Sequence, residues 1–299
     1  MTQTVNGKSF ISLGGNPKFH SPSTTFYRTM LLAGSTFKNF SHGFHLATLP
    51  IQVVFIGPAG SGKTTLVNKY GEWLFKSGRR VSFINLDPGA EKTPYSSSFD
   101  IRGFFTVEEI MRRESLGPNG AMIRAMDILA ERSFELASQI STLEEDYRLI
   151  DTPGQSELFV FRSAGPEIMR VLSTVGRTIV VFLIDGQLVR SPSDLIAVFS
   201  LAAACRLRLN VPFVHVVTKA DVLSRSDLEK LMQEPDYLEK RIVEEEAGLL
   251  QEYVLEHSKI VQPFLRRQRT ILVSALSGAG LDLMDSLIHD ATCECGDLR

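Results

Sequence analysis

Three cysteines in 299 residues cannot build a disulfide framework, and their scarcity points to a reducing compartment. No apolar run approaches the roughly 18–20 residues that a bilayer span requires. The best candidate, Thr178 to Ile184, is far too short and follows Arg177. A dominant charge is also missing. The 32 Lys+Arg stand against 34 Asp+Glu, a formal net charge of −2, which argues against a globally basic nucleic-acid binder. The expectation is therefore a cytoplasmic protein with no membrane span and no direct nucleic-acid contact. Hydrophobic residues make 43% and charged residues 22%, an ordinary globular balance that can bury a core in one or two domains.

One absence is local. Residues 1–71 contain no Asp or Glu, and the first acid is Glu72. Residues 1–48 carry Lys8, Lys18, Arg28 and Lys38 but no acid, so the rest of the chain has a net charge of −6 against −2 for the whole. This Ser/Thr/Gly-rich leader has no clear apolar period. It reads as a tail too polar to order, as a start assigned too early, or as a transit peptide unusually poor in Arg. Residues 49–299 are expected to form the functional domain.

From Leu49 onward, strand and helix patterns alternate. Strands are expected at 51–56, 81–86, 147–150, 178–184, 213–217 and 270–273. Helices are expected at 63–76, 106–114, 121–142, 156–174, 193–207, 226–258 and 279–289. Near-continuous apolar strands joined by helices imply an α/β fold: a three-layer, mostly parallel sheet with helices on both faces and helical insertions. Ligands of such sheets sit beyond the carboxyl ends of the strands.

The polar motifs fall at those ends. Gly57-Pro58-Ala59-Gly60-Ser61-Gly62-Lys63-Thr64 matches G-x-x-x-x-G-K-[ST] between a strand and a helix, the P-loop of nucleotide phosphohydrolases. Its backbone N–H groups and helix N-terminus would cradle phosphate. Lys63 would reach the β- and γ-phosphates, Thr64 would bind Mg2+, and Thr65 could touch the α-phosphate. Asp151-Thr-Pro-Gly154 follows another strand. Asp151 can hold the metal through its water, and the Gly154 N–H can meet a γ-phosphate. Thr218-Lys219-Ala220-Asp221 resembles the [NT]-K-x-D guanine motif. A carboxylate at Asp221 accepts from guanine N1–H and its amine together, which adenine cannot supply. The Lys219 stem can lie over the base, and Ser274-Ala275 fits a second base loop. In this order the motifs point to a guanine-nucleotide hydrolase or switch, with GTP as substrate and GDP as product.

Two further stretches narrow the family. Asn85-Leu-Asp87-Pro88, Glu91, Pro94-Tyr95 and Asp100-Ile-Arg102 form one, and Gly117-Pro118-Asn119 the other. Together they resemble the GPN-loop GTPases, a branch of the SIMIBI class of P-loop proteins. The resemblance covers residues 51–299 and is closest to the short archaeal form, down to Cys293-Glu-Cys295. It implies a homodimer in which Asn119 of one subunit contacts the other's γ-phosphate or attacking water. It also implies a metal-binding or activating role for Asp87, and a client protein complex such as RNA polymerase. A Gly-Pro turn is rigid, and an amide can both accept from water and donate to phosphate. Gln155 and Glu157, just past Gly154, are further candidates for orienting water. Arg102 reads either as a charge stabiliser or as a salt-bridge partner.

Other classes stay in view. A scaffold could hold GTP without hydrolysing it. A metallochaperone GTPase would need a His/Cys run, and none precedes the P-loop. A P-loop kinase would not need Asp221 or Ser274.

Overall fold

The computed structural model describes residues 49–222, 225–267 and 270–293. The readings made for residues 1–48 and for Cys295 lie outside the described residues.

Among the described residues, seven strands form one sheet: β1 Ile51–Ile56, β2 Val81–Asn85, β3 Phe99–Asp100, β4 Tyr147–Asp151, β5 Arg177–Asp185, β6 Phe213–Thr218 and β7 Ile271–Leu272. Their order is β3-β2-β4-β1-β5-β6-β7, and every pairing is parallel. The two-residue period of a strand divides its side chains between two cores. Val53 and Phe55 of β1, with Val181 and Leu183 of β5, pack under α1 Lys63–Lys76 and α11 Leu281–Thr292. Val54 and Ile56, with Val180, Phe182 and Ile184, face the opposite core. That side is covered by α2 Val107–Glu114, α3 Pro118–Glu131, α4 Ser133–Ser141, α5 Ser156–Phe161, α6 Ala164–Leu172, α7 Pro192–Leu209, α8 Arg225–Gln233, α9 Pro235–Glu245 and α10 Gly248–Arg267. The three-layer reading is met. None of the described helices is long and apolar enough to cross a membrane.

Several expected helices are subdivided, each for a local reason. The helix read at 121–142 breaks at Arg132, which sits at φ −102 and ψ 11 between α3 and α4. The helix read at 156–174 breaks at Arg162, whose backbone is extended at φ −92 and ψ −171. The segment 226–258 is three helices. Pro235 opens α9 at its first position, where a missing N–H costs nothing, and Gly248 opens α10 with φ +62. Strand β3, only two residues long, had no apolar run to announce it.

The chain crosses from β4 to β5 over the position of β1, so the strand order reverses around the P-loop strand. A crevice at such a switch point is where ligands of parallel sheets bind. Pro58, Asp87, Asp151, Asp185, Lys219 and Ser274 all lie at or just past carboxyl ends of strands.

Candidate nucleotide-binding site

The P-loop leaves β1 at Gly57. A Cβ there would come within 2.6 Å of the Leu183 carbonyl oxygen, so no larger residue fits beside β5. Gly62, at φ +89, caps α1 in the left-handed region that glycine adopts without penalty. The loop thus runs directly into the start of a 14-residue helix. Lys63 is buried and its Nζ donates to the carbonyls of Gly57 at 2.6 Å and Pro58 at 3.0 Å, with Gly154 O at 3.5 Å. Burial lowers its pKa, and Asp151, Asp87 and Glu157 pull it back up. Ser61 is fully buried, whereas Ala59, Gly60 and Thr65 are exposed at the mouth.

Asp151 ends β4 and is 2% exposed. Its Oδ2 accepts from the Tyr95 hydroxyl at 2.8 Å, while Oδ1 is buried without a hydrogen-bond partner. Burial raises its pKa to about 6. The Thr64 and Tyr95 hydroxyls and Lys63 oppose the rise, and Asp87 adds to it. Asp87 stands just past β2 and is partly buried, which raises its pKa too. Its Oδ1 accepts from the Gly89 N–H at 2.9 Å and its Oδ2 from the Gly154 N–H at 3.3 Å. The structure therefore brings Lys63, Thr64, Asp87, Asp151 and Gly154 into one cluster. Asn85 sets the Asp87 loop: its Oδ1 accepts from the Asp87 N–H at 3.0 Å and its Nδ2 donates to Asp100 at 3.1 Å.

Arg102 takes the salt-bridge role. Its guanidinium is bound to Asp100 at 2.5 Å and donates to the carbonyls of Ala90 and Glu91 at 2.8 and 3.1 Å. The pair is partly buried rather than fully at the surface, and it ties the loop after β2 to β3.

The base side forms a second cluster. Thr218 ends β6 and spends its hydroxyl on Ser61 O at 2.8 Å and Ile184 O at 3.2 Å, joining the base loop to the P-loop. Lys219 adopts φ +60, and its Nζ meets Asp185 Oδ2 at 2.6 Å and Gln187 Oε1 at 3.2 Å. Asp221 is exposed, and its Oδ1 accepts from the buried Ser274 hydroxyl at 2.6 Å. Ala275 follows, half-buried, in the loop after β7. Ser274 thus aims the carboxylate that would read the base.

Asn119 is placed differently from its expected turn. Gly117 is the N-cap of α3, Pro118 is its first residue and Asn119 lies exposed in its first turn. Proline is favoured there because its missing N–H has no helical partner to lose. Asn119 and Gln155 line one cavity of about 390 Å³ with Pro88, Gly89, Ala90 and Glu91. Glu157 is exposed at the start of α5. Two residues were given no role from sequence, Asp185 behind Lys219 and Tyr95 behind Asp151. The only sequence signal for Asp185 is a carboxylate at a strand tip, the same position that Asp151 holds.

A parallel sheet with this P-loop motif, a carboxylate beside it and an Asp221–Ser274 pair beyond the strand ends has the layout of a P-loop GTPase. A family model described as a conserved hypothetical ATP binding protein matches residues 55–294. GPN-loop GTPase PAB0955 of Pyrococcus abyssi is 37% identical over 253 residues, which span 82% of this chain and 99% of that protein. The chain belongs to the GPN-loop GTPase family. GPN-loop GTPase 3 of Dictyostelium discoideum is 36% identical, over 67% of this chain and 70% of its own length. The apo crystal structure of the Pyrococcus abyssi protein superposes with a TM-score of 0.74 at 34% identity, covering 82% of this chain and 98% of that one.

Proposed function

We propose that the chain is a Mg2+-dependent GTP hydrolase acting as a homodimeric switch, in which Asn119 completes the partner subunit's site. The observation that carries the catalytic part is the shared cavity: Asn119 and Gln155, both exposed, line one space beside the Asp87 loop. Hydrolysis passes through a loose transition state, so the attacking water needs orientation more than deprotonation. Two amides, each able to accept from water and donate to phosphate, suit that task. Glu157 is the third candidate.

The donor set fits magnesium. Thr64, Asp151 and Asp87 offer oxygens only, and Asp151 Oδ1 is buried without a partner. Such a set suits an ion held by one or two carboxylates together with substrate phosphates. When bound, it would offset charge on the phosphate oxygens. Lys63 would supply a fixed positive charge to the β- and γ-phosphates. The Gly154 N–H would sense the γ-phosphate by passing from Asp87 to the phosphate oxygen, which couples the loops after β2 and β4 to hydrolysis. Asp221 and Lys219 would select guanine.

The Asn119→Ala variant tests the loop. It is expected to retain GTP affinity and lose turnover by about 10-fold or more. One preorganised polar contact to a transition state is worth on the order of 2–4 kcal/mol, and less if water substitutes. Mixing decides between subunits. A Lys63→Ala subunit can still donate its Asn119, and an Asn119→Ala subunit can still hold GTP. Their verified heterodimer should regain one working site, about half the wild-type rate per dimer. Normal hydrolysis by Asn119→Ala would remove the loop from catalysis. A slow variant without rescue would assign Asn119 to the cavity of its own chain, where it already stands near Gln155.

A further inference from the structure

Tyr95 reaches across 56 residues of sequence to touch the metal-side carboxylate. It lies in the connection between β2 and β3 and is 7% exposed. Its backbone is fixed by the Thr93 hydroxyl, which donates to Tyr95 O at 3.1 Å. Its ring is stacked on Phe83 of β2, with centroids 4.9 Å apart and planes 13° from parallel. Phe83 in turn sits against α1 at Gly71, where an added Cβ would fall 2.2 Å from Phe83 Cζ. The position of the phenol is therefore set by the helix that follows the P-loop and by the strand beside β4. From that seat the hydroxyl donates to Asp151 Oδ2 at 2.8 Å, and Oδ1 is the buried oxygen outside hydrogen-bond geometry, with the Thr64 hydroxyl near the same carboxyl.

A carboxylate with neither oxygen fixed can rotate about its terminal bond. A hydrogen bond to one oxygen stops the rotation and commits the other to a direction. We infer that Tyr95 is a positioning residue, whose phenol pins Asp151 Oδ2 so that Oδ1 is presented to the divalent cation held with Thr64. The inference rests on the magnesium reading above. It assigns work to a residue that acts through Asp151, and it explains why a tyrosine rather than a phenylalanine completes the Phe83 stack.

The test uses the full chain loaded with GDP, comparing wild type with Tyr95→Phe. Phenylalanine keeps the ring and removes only the hydroxyl. Three quantities are measured: Mn2+ affinity by electron paramagnetic resonance, GDP affinity in EDTA, and the thermal unfolding midpoint. The expected result is Mn2+ binding weakened by about 10-fold or more, the usual scale for losing a partner behind a metal ligand. GDP affinity in EDTA should stay near wild type, and the unfolding midpoint should fall by no more than the few degrees that one lost buried hydrogen bond costs. Equal Mn2+ affinity in the two proteins would overturn the role of Tyr95 while leaving the magnesium site standing. Loss of GDP affinity in EDTA, or a large drop in the midpoint, would overturn it in favour of a purely structural tyrosine. A wild-type GDP complex that binds no Mn2+ would overturn the magnesium reading itself, and this inference with it.

Discussion

Lys63→Ala is expected to abolish productive GTP binding, with retention of GTP weakened by about 100-fold or more and no measurable hydrolysis. The scale follows from losing a charged donor aimed at a polyphosphate in a site partly closed to water, worth about 3–4 kcal/mol. Lys63 is buried, and its ammonium is already desolvated and held by the Gly57 and Pro58 carbonyls. Turning it toward phosphate therefore costs little reorganisation. The fold should survive, because water can replace the donor at the part-buried Pro58 carbonyl and one lost hydrogen bond at the buried Gly57 carbonyl costs only about 1–3 kcal/mol. Equilibrium binding of a fluorescent GTP analogue, with a thermal melt as control, checks both statements. Full hydrolysis by the variant would contradict the P-loop assignment.

Asp221→Asn should change which base is bound. The carboxylate would accept from two guanine donors, N1–H and the exocyclic amine. An amide loses at least one of these contacts and presents a donor instead. Charge-assisted hydrogen bonds are worth about 1.5–3 kcal/mol each, so guanine affinity should fall by about 100-fold. Xanthine carries a carbonyl where guanine has its amine, so affinity for xanthosine nucleotides should rise. The Ser274 hydroxyl that donates to Asp221 Oδ1 can donate equally to an amide oxygen, so the loop has no reason to move. Competition between GDP and XDP in both proteins reads the switch. Unchanged preference would mean that the loop after β6 does not read the base.

Legibility in the sequence followed how local each feature is. Strand β1 and the P-loop were readable because a continuous apolar run meets a motif whose glycines answer to nearby backbone. Asp151 was readable because it stands at the tip of a strand, and Asp221 because it closes a four-residue motif that begins at one. The contacts behind them were not. Tyr95 meets Asp151 across 56 residues, and Asp185 meets Lys219 across 34, and no spacing rule connects such pairs. Some signals were present and were masked by others. Pro118 is a helix-start residue, but beside Gly117 it reads as a turn. Pro235 and Gly248 each mark a helix start, yet the apolar period of 226–258 runs through both. The break at Arg132 carries no glycine or proline, so nothing local announced it.

The central claim is that the clusters around Lys63 and Asp221 bind and cleave GTP rather than merely hold a nucleotide. Single-turnover hydrolysis tests it most directly, with enzyme in excess over γ-labelled GTP or ATP in Mg2+ buffer. The account predicts first-order release of phosphate from GTP and far slower release from ATP, because adenine offers Asp221 no donor pair. Equal rates for the two nucleotides, or GTP bound stoichiometrically and never cleaved, would contradict it.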